Sequence, residues 1–240
     1  MQEQRSFRIE SEGIDLAAVV HLPEKLPAPV IVCCHGLLSL KDSSKYLAIG
    51  EEMTAAGFSV LRFDFSRCGE SPARPGETLI GGRMRDLNIV LRFASGQPWS
   101  DGRIGLLGSS LGGYLSLLAA DANPDLILAA VCWASPFDVS GIYPGAEDME
   151  QLPNLFPDGF RLGEPQDLSS MERASRVLLI HGRQDHIVNW EQSLQIYDRL
   201  KDPKELILMQ TADHQFLDEE CRKAAIRSGL DWFLQYFPIH

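Results

Sequence analysis

The chain has 240 residues, 45% of them apolar, which fits one domain with a full core and excludes disordered and fibrous classes. A net charge of −11 with no Lys/Arg cluster leaves no electrostatic footprint for nucleic acid. No apolar run reaches the roughly 18 residues that cross a bilayer, and Met1-Gln2-Glu3-Gln4-Arg5-Ser6 does not read as a secretory signal.

In chain order, Phe7-Arg8-Ile9-Glu10 alternates and Leu16 to Leu22 forms a second short run; the two predict an antiparallel hairpin turned at Glu12-Gly13. Val30-Ile31-Val32-Cys33-Cys34 is continuously apolar, as expected of a strand buried on both faces. Ser59 to Phe65, Ile104 to Leu107, Ile127 to Trp133, Val177 to Ile180 and Leu206 to Met209 repeat that pattern. Helical periodicity falls between them, at about 44–56, 79–95, 111–121, 190–200 and 217–236. This alternation predicts a single α/β domain over residues 1–240, built on a mostly parallel eight-stranded sheet with helices on both faces.

One stretch breaks the rhythm. Residues 135–170 hold several Pro and Gly and scattered aromatics (Phe137, Tyr143, Phe156, Phe160), with few periodic apolar positions. A long connection after the sixth strand lies at the C-terminal edge of the sheet, where open α/β folds bind ligands. It is read as a small lid, with an ordinary surface insertion as the alternative.

The five cysteines (33, 34, 68, 132 and 221) are an odd number, four of them in or beside apolar runs. They read as free thiols in a reducing compartment, so a cytoplasmic location is expected. Adjacent Cys33-Cys34 lack metal-ligand spacing.

The chemistry begins at Gly108-Ser109-Ser110-Leu111-Gly112-Gly113, directly after an apolar strand and before a helix. In that setting G-x-S-x-G marks a tight strand-to-helix turn with an exposed hydroxyl. Only Gly108, Ser110 and Gly112 satisfy the spacing, so Ser110 is the candidate nucleophile. A serine hydroxyl needs a base to take its proton and a third group to orient that base. Of the six histidines, His214 lies in the polar loop Thr211-Ala212-Asp213-His214-Gln215-Phe216 after the last strand, within reach of the turn. His21 sits in the hairpin and His240 is the last residue, read as frayed. His35 and His181 read as structural, and His186 stands beside the expected acid. For the acid, Asp185 after the seventh strand is favoured and Asp138 after the sixth is the alternative; Asp213 adjoins His214 too closely to orient it. Backbone N–H groups of Leu111, at a helix N-terminus, and of Leu37, in Cys34-His35-Gly36-Leu37-Leu38, are the expected oxyanion donors.

With these residues placed, the chain resembles the α/β-hydrolase superfamily from the first hairpin to the last helix, nearest the small cinnamoyl/feruloyl esterases and the serine-aminopeptidase-like hydrolases. The resemblance rests on His35-Gly36, Arg62-Phe63-Asp64-Phe65 leading to Gly69-Glu70-Ser71, the turn at Ser110, His181-Gly182 with Asp185 and Val188, and Asp213-His214. It implies Ser110 as nucleophile, His214 as base, Asp185 as acid, Leu37 and Leu111 as oxyanion donors, and no cofactor or metal. A small-molecule ester would be the partner, with a thioester or short peptide as alternatives sharing the same residues, and the protein a monomer or homodimer. A hydrolase-fold binding protein without turnover is the reading from another class. The chain departs from the family at Arg67-Cys68, where Gly-His is common, and at Ser109 and Leu111, where His and Gln or Met are frequent. Its lid region is also shorter than in the cinnamoyl esterases.

Overall fold

The computed structural model describes residues 3–140 and 161–239. Most of the expected lid, with Tyr143 and Phe156, lies outside the described residues, as does His240.

Eight strands form one sheet: β1 (Glu3–Ser11), β2 (Ile14–Leu22), β3 (Ala28–Cys34), β4 (Ser59–Phe63), β5 (Ser100–Ser109), β6 (Ile127–Trp133), β7 (Val177–Gly182) and β8 (Lys204–Met209). Their order is β1-β2-β4-β3-β5-β6-β7-β8. The β1–β2 and β2–β4 pairs are antiparallel and the others parallel. Five helices are described: α1 (Ser44–Ala55), α2 (Leu79–Ser95), α3 (Leu111–Ala122), α4 (Glu191–Arg199) and α5 (Glu219–Tyr236).

The pleat sorts side chains onto two cores. Val30, Val32 and Cys34 of β3 point to one face with Ile104 and Leu106 of β5, where they meet Leu87, Val90 and Leu91 of α2 and Leu115 of α3. Ile31 and Cys33 point to the other face with Leu107 and Val131, against Ile49 and Met53 of α1 and Phe233 of α5. Strands between helical layers must be apolar on both sides, which is why β3 is buried at every position. At the sheet's edges, β1 is mostly exposed, with Ile9 and Ser11 buried, and β8 is only half-buried.

Element limits shift slightly from expectation. The fourth strand ends at Phe63 because Asp64 turns its carboxylate to the loops: its Oδ1 accepts from Lys41 N–H at 2.8 Å and its Oδ2 from Glu70 N–H at 3.2 Å. Those bonds tie the β3–α1 and β4–α2 loops together at the C-terminal edge of the sheet. The fifth strand begins earlier, at Ser100, beside Ala28.

Candidate active site

Ser110 is the single residue between β5 and α3. Its backbone sits at φ 57°, ψ −127°, a strained setting for a residue with a side chain, costing about 1–3 kcal/mol. The surroundings hold it there. Ser110 N–H donates to Trp133 C=O at 2.8 Å, and its own C=O accepts from the N–H groups of Gly113 and Tyr114. The turn closes only without side chains at its flanks: a Cβ on Gly112 would overlap the Cys34 carbonyl oxygen and stand 2.7 Å from that of His35.

His214 reaches this turn from the β8–α5 loop. Its Nε2 lies 3.0 Å from Ser110 Oγ and its Nδ1 lies 2.7 Å from Asp185 Oδ2. Asp185, after β7, is fixed on its other side, where Oδ1 accepts from Ile187 N–H at 2.9 Å and Val188 N–H at 2.8 Å. Because a carboxylate only accepts, His214 carries its proton on Nδ1 and turns a lone pair toward Ser110. Burial pushes the Asp185 carboxyl up, but hydrogen bonds from His181 and His214 outweigh it and hold the group well below the usual carboxylate range.

His181 belongs to the same network. Expected as a packed structural histidine, it is fully buried and also bonded to Asp185: Nε2 lies 3.0 Å from Asp185 Oδ2 and 3.1 Å from Val188 C=O. Both neighbours are acceptors, so Nε2 is the donor, and Ser193 Oγ of α4 donates to Nδ1 at 2.6 Å. One carboxylate oxygen thus accepts a hydrogen bond from each of two imidazoles.

The β3–α1 loop lies against Ser110: a Cβ on Gly36 would be 3.4 Å from Ser110 Cβ and 3.8 Å from its Oγ. His35 pins this loop. Its Nδ1–H donates to Gly36 C=O at 2.8 Å and its Nε2 accepts from Phe65 N–H at 3.1 Å. Burial lowers the His35 pKa to about 3, so the ring stays neutral. Among the described residues, neither Leu37 N–H nor Leu111 N–H has an acceptor within the chain.

Lys45 of α1 escaped sequence reasoning. Its ammonium donates to Ser109 Oγ at 2.7 Å and sits 5.8 Å from the centres of the Tyr46 and Trp133 rings. Burial lowers its pKa to about 8.

The alternatives fall elsewhere. Asp138 is exposed; its Oδ1 accepts from Ser140 N–H. Asp213 Oδ1 accepts from Leu217 N–H. His186 is exposed, and His21 accepts from Arg62 Nε at 2.9 Å. All five cysteines are free, Cys33, Cys34, Cys68 and Cys132 buried. Among the described residues no cluster of His, Cys, Asp or Glu could hold a metal ion, and no helix is long and apolar enough to cross a membrane.

Comparison with known proteins gives a consistent superfamily. The prolyl oligopeptidase family matches residues 81–239, and the X-Pro dipeptidyl-peptidase (S15) family matches residues 12–147. The rat mitochondrial palmitoyl-protein thioesterase ABHD10 is 30% identical over 210 residues, covering 78% of this chain and 69% of that protein. A solved structure of mouse alpha/beta hydrolase domain-containing protein 10 superposes with TM-score 0.74 at 25% identity, over 97% of this chain and 99% of the other. The Butyrivibrio proteoclasticus protein Est1E, solved with ferulic acid bound, shares the fold: TM-score 0.77 at 18% identity, covering 96% and 98% of the two chains.

Proposed function

The chain belongs to the α/β-hydrolase superfamily and, within it, to the prolyl oligopeptidase family, and on that premise we propose that it is a serine hydrolase of carboxylic esters. The observation that carries this is the unbroken series Ser110 Oγ, His214, Asp185 at 3.0 and 2.7 Å, in the protonation pattern catalysis needs. His214 Nε2 takes the Ser110 proton as Oγ bonds to the acyl carbon. The tetrahedral oxyanion accepts from the N–H groups of Leu37 and Leu111. Collapse breaks the bond to the leaving group, which receives the proton from His214. Water, deprotonated by the same nitrogen, then attacks the acyl carbon; the bond to Oγ breaks, His214 returns the proton to Ser110 Oγ, and the acid is released.

A thioester is the second reading, favoured because the human and rat ABHD10 proteins, to which the chain is similar, are palmitoyl-protein thioesterases. The same attack serves both, since the two differ in the leaving group's contacts rather than in the nucleophile. The test is turnover of a matched pair, one acyl group carried as p-nitrophenyl ester and as alkyl thioester, with an aminoacyl anilide beside them. Ester or thioester turnover lost in Ser110→Ala supports the proposal. Turnover of none, or turnover retained by Ser110→Ala, would overturn it.

A further inference from the structure

Arg83 is a buried cation on α2, 3% exposed, with no carboxylate partner among the described residues. Burying a charge without an ion-pair partner is expensive, so its neighbours must provide the compensation. They are two consecutive carbonyls, a thiol and a ring. Nη1 donates to Gly36 C=O at 3.1 Å, and Nη2 donates to Leu37 C=O at 2.9 Å and to Cys68 Sγ at 3.3 Å. The guanidinium also lies over the Phe65 ring, 5.0 Å from its centre.

The position of those carbonyls gives the arrangement its meaning. Gly36 C=O and Leu37 N–H are the two ends of one peptide group, which is planar and resonant. That carbonyl also accepts from His35 Nδ1–H at 2.8 Å and from Ser39 N–H at 3.4 Å. Donors on the oxygen draw electron density through the amide and leave its N–H a stronger donor. Arg83 contributes the charged one, and by holding the next carbonyl as well it fixes the plane of the peptide. The same peptide lies against Ser110.

We propose that Arg83 is a positioning residue for the oxyanion site: its guanidinium clamps the Gly36–Leu37 peptide and strengthens Leu37 N–H as a donor to the tetrahedral intermediate. The inference rests on the serine-hydrolase reading above. Its effect belongs to the transition state, where charge develops on the oxygen, and not to ground-state binding.

Arg83→Met and Arg83→Lys test it, with Arg83→Lys keeping the charge but losing the planar two-nitrogen fork. The readouts are kcat and KM for a p-nitrophenyl ester, the inhibition constant of a trifluoromethyl ketone (which adds to the serine as an oxyanion) and the melting temperature. For Arg83→Met, kcat should fall about 10- to 100-fold, less than for deleting a donor outright, with KM within about threefold. The ketone should weaken in parallel and the acid limb of the pH profile should not move; Arg83→Lys should recover part of both losses. If Arg83→Met does not fold, Arg83→Lys alone decides, by the same paired fall. Unchanged kcat and ketone affinity in a folded variant, at whatever melting temperature, would overturn the inference and leave the serine-hydrolase reading intact. A wild-type protein with no turnover and no ketone binding would overturn both.

Discussion

Replacing Asp185 by Asn exchanges a group that accepts four hydrogen bonds for one that must donate some of them. Oδ1 faces two backbone donors, Ile187 N–H and Val188 N–H, so the amide oxygen must stay there and the NH2 must take the Oδ2 position. That NH2 then confronts His214 Nδ1 at 2.7 Å and His181 Nε2 at 3.0 Å, both of which carry protons in the native network. His214 relieves the clash by moving its proton to Nε2, the nitrogen 3.0 Å from Ser110 Oγ, where it can no longer accept. The base is present but in the wrong tautomer, a change that costs about 10⁴-fold in kcat in serine proteases, or about 5.4 kcal/mol of barrier. His181 has the same difficulty, since its alternative tautomer would set a bare Nε2 against Val188 C=O at 3.1 Å. The assay is kcat for a p-nitrophenyl ester, with Asp138→Asn as control: Asp138 is exposed and bonds Ser140 N–H, so its loss should change kcat less than about threefold. Asp185→Asn within tenfold of wild type, or Asp138→Asn costing more, would refute the reasoning.

Stability should fall in acid, and the sign follows from two buried histidines. Burial lowers His21 to about 4 and His35 to about 3, so between those values and 6.5 the unfolded chain binds protons that the folded chain refuses. Their contribution is complete above pH 6.5 and is lost as pH falls toward the folded values, at about 2.7 kcal/mol per pH unit for the pair. Urea unfolding midpoints at pH 7, 6 and 5 check this; a flat series would contradict it. Gly112→Ala should lose at least about 3 kcal/mol or fail to fold, because its Cβ meets the backbone oxygens of Cys34 and His35 and cannot be relieved by a rotamer change; urea unfolding of the purified variant reads this out. Ser193→Ala strips His181 Nδ1 of its 2.6 Å donor and should cost about 1–3 kcal/mol of stability while lowering kcat less than tenfold. Thermal melting and ester turnover on the same sample separate the two effects.

Much of the fold was legible because its signals are local. β3 reads as a doubly covered strand from five consecutive apolar residues, and the turn at Ser110 from two glycines that only a tight approach requires. Asp185 and His214 stand out by their places after successive strands, a matter of topology rather than of spacing. The supporting residues were harder to see because their partners are remote in sequence. Lys45 meets Ser109 across 64 positions and Arg83 meets Gly36 across 47, so no short motif contains either pair. Arg83 did leave one trace: it occupies the apolar stripe of α2, in step with Ile80, Leu87, Val90 and Ala94, where a cation is out of place unless something receives it. His181 reads as a packed histidine, but the sequence alone does not show Ser193 behind it.

Activation of Ser110 as a nucleophile is read out by reaction with a fluorophosphonate followed by peptide mapping. Stoichiometric label on Ser110 is expected, absent in Ser110→Ala and slowed by orders of magnitude in Asp185→Asn. Label on another residue, or none on a folded protein, would contradict it.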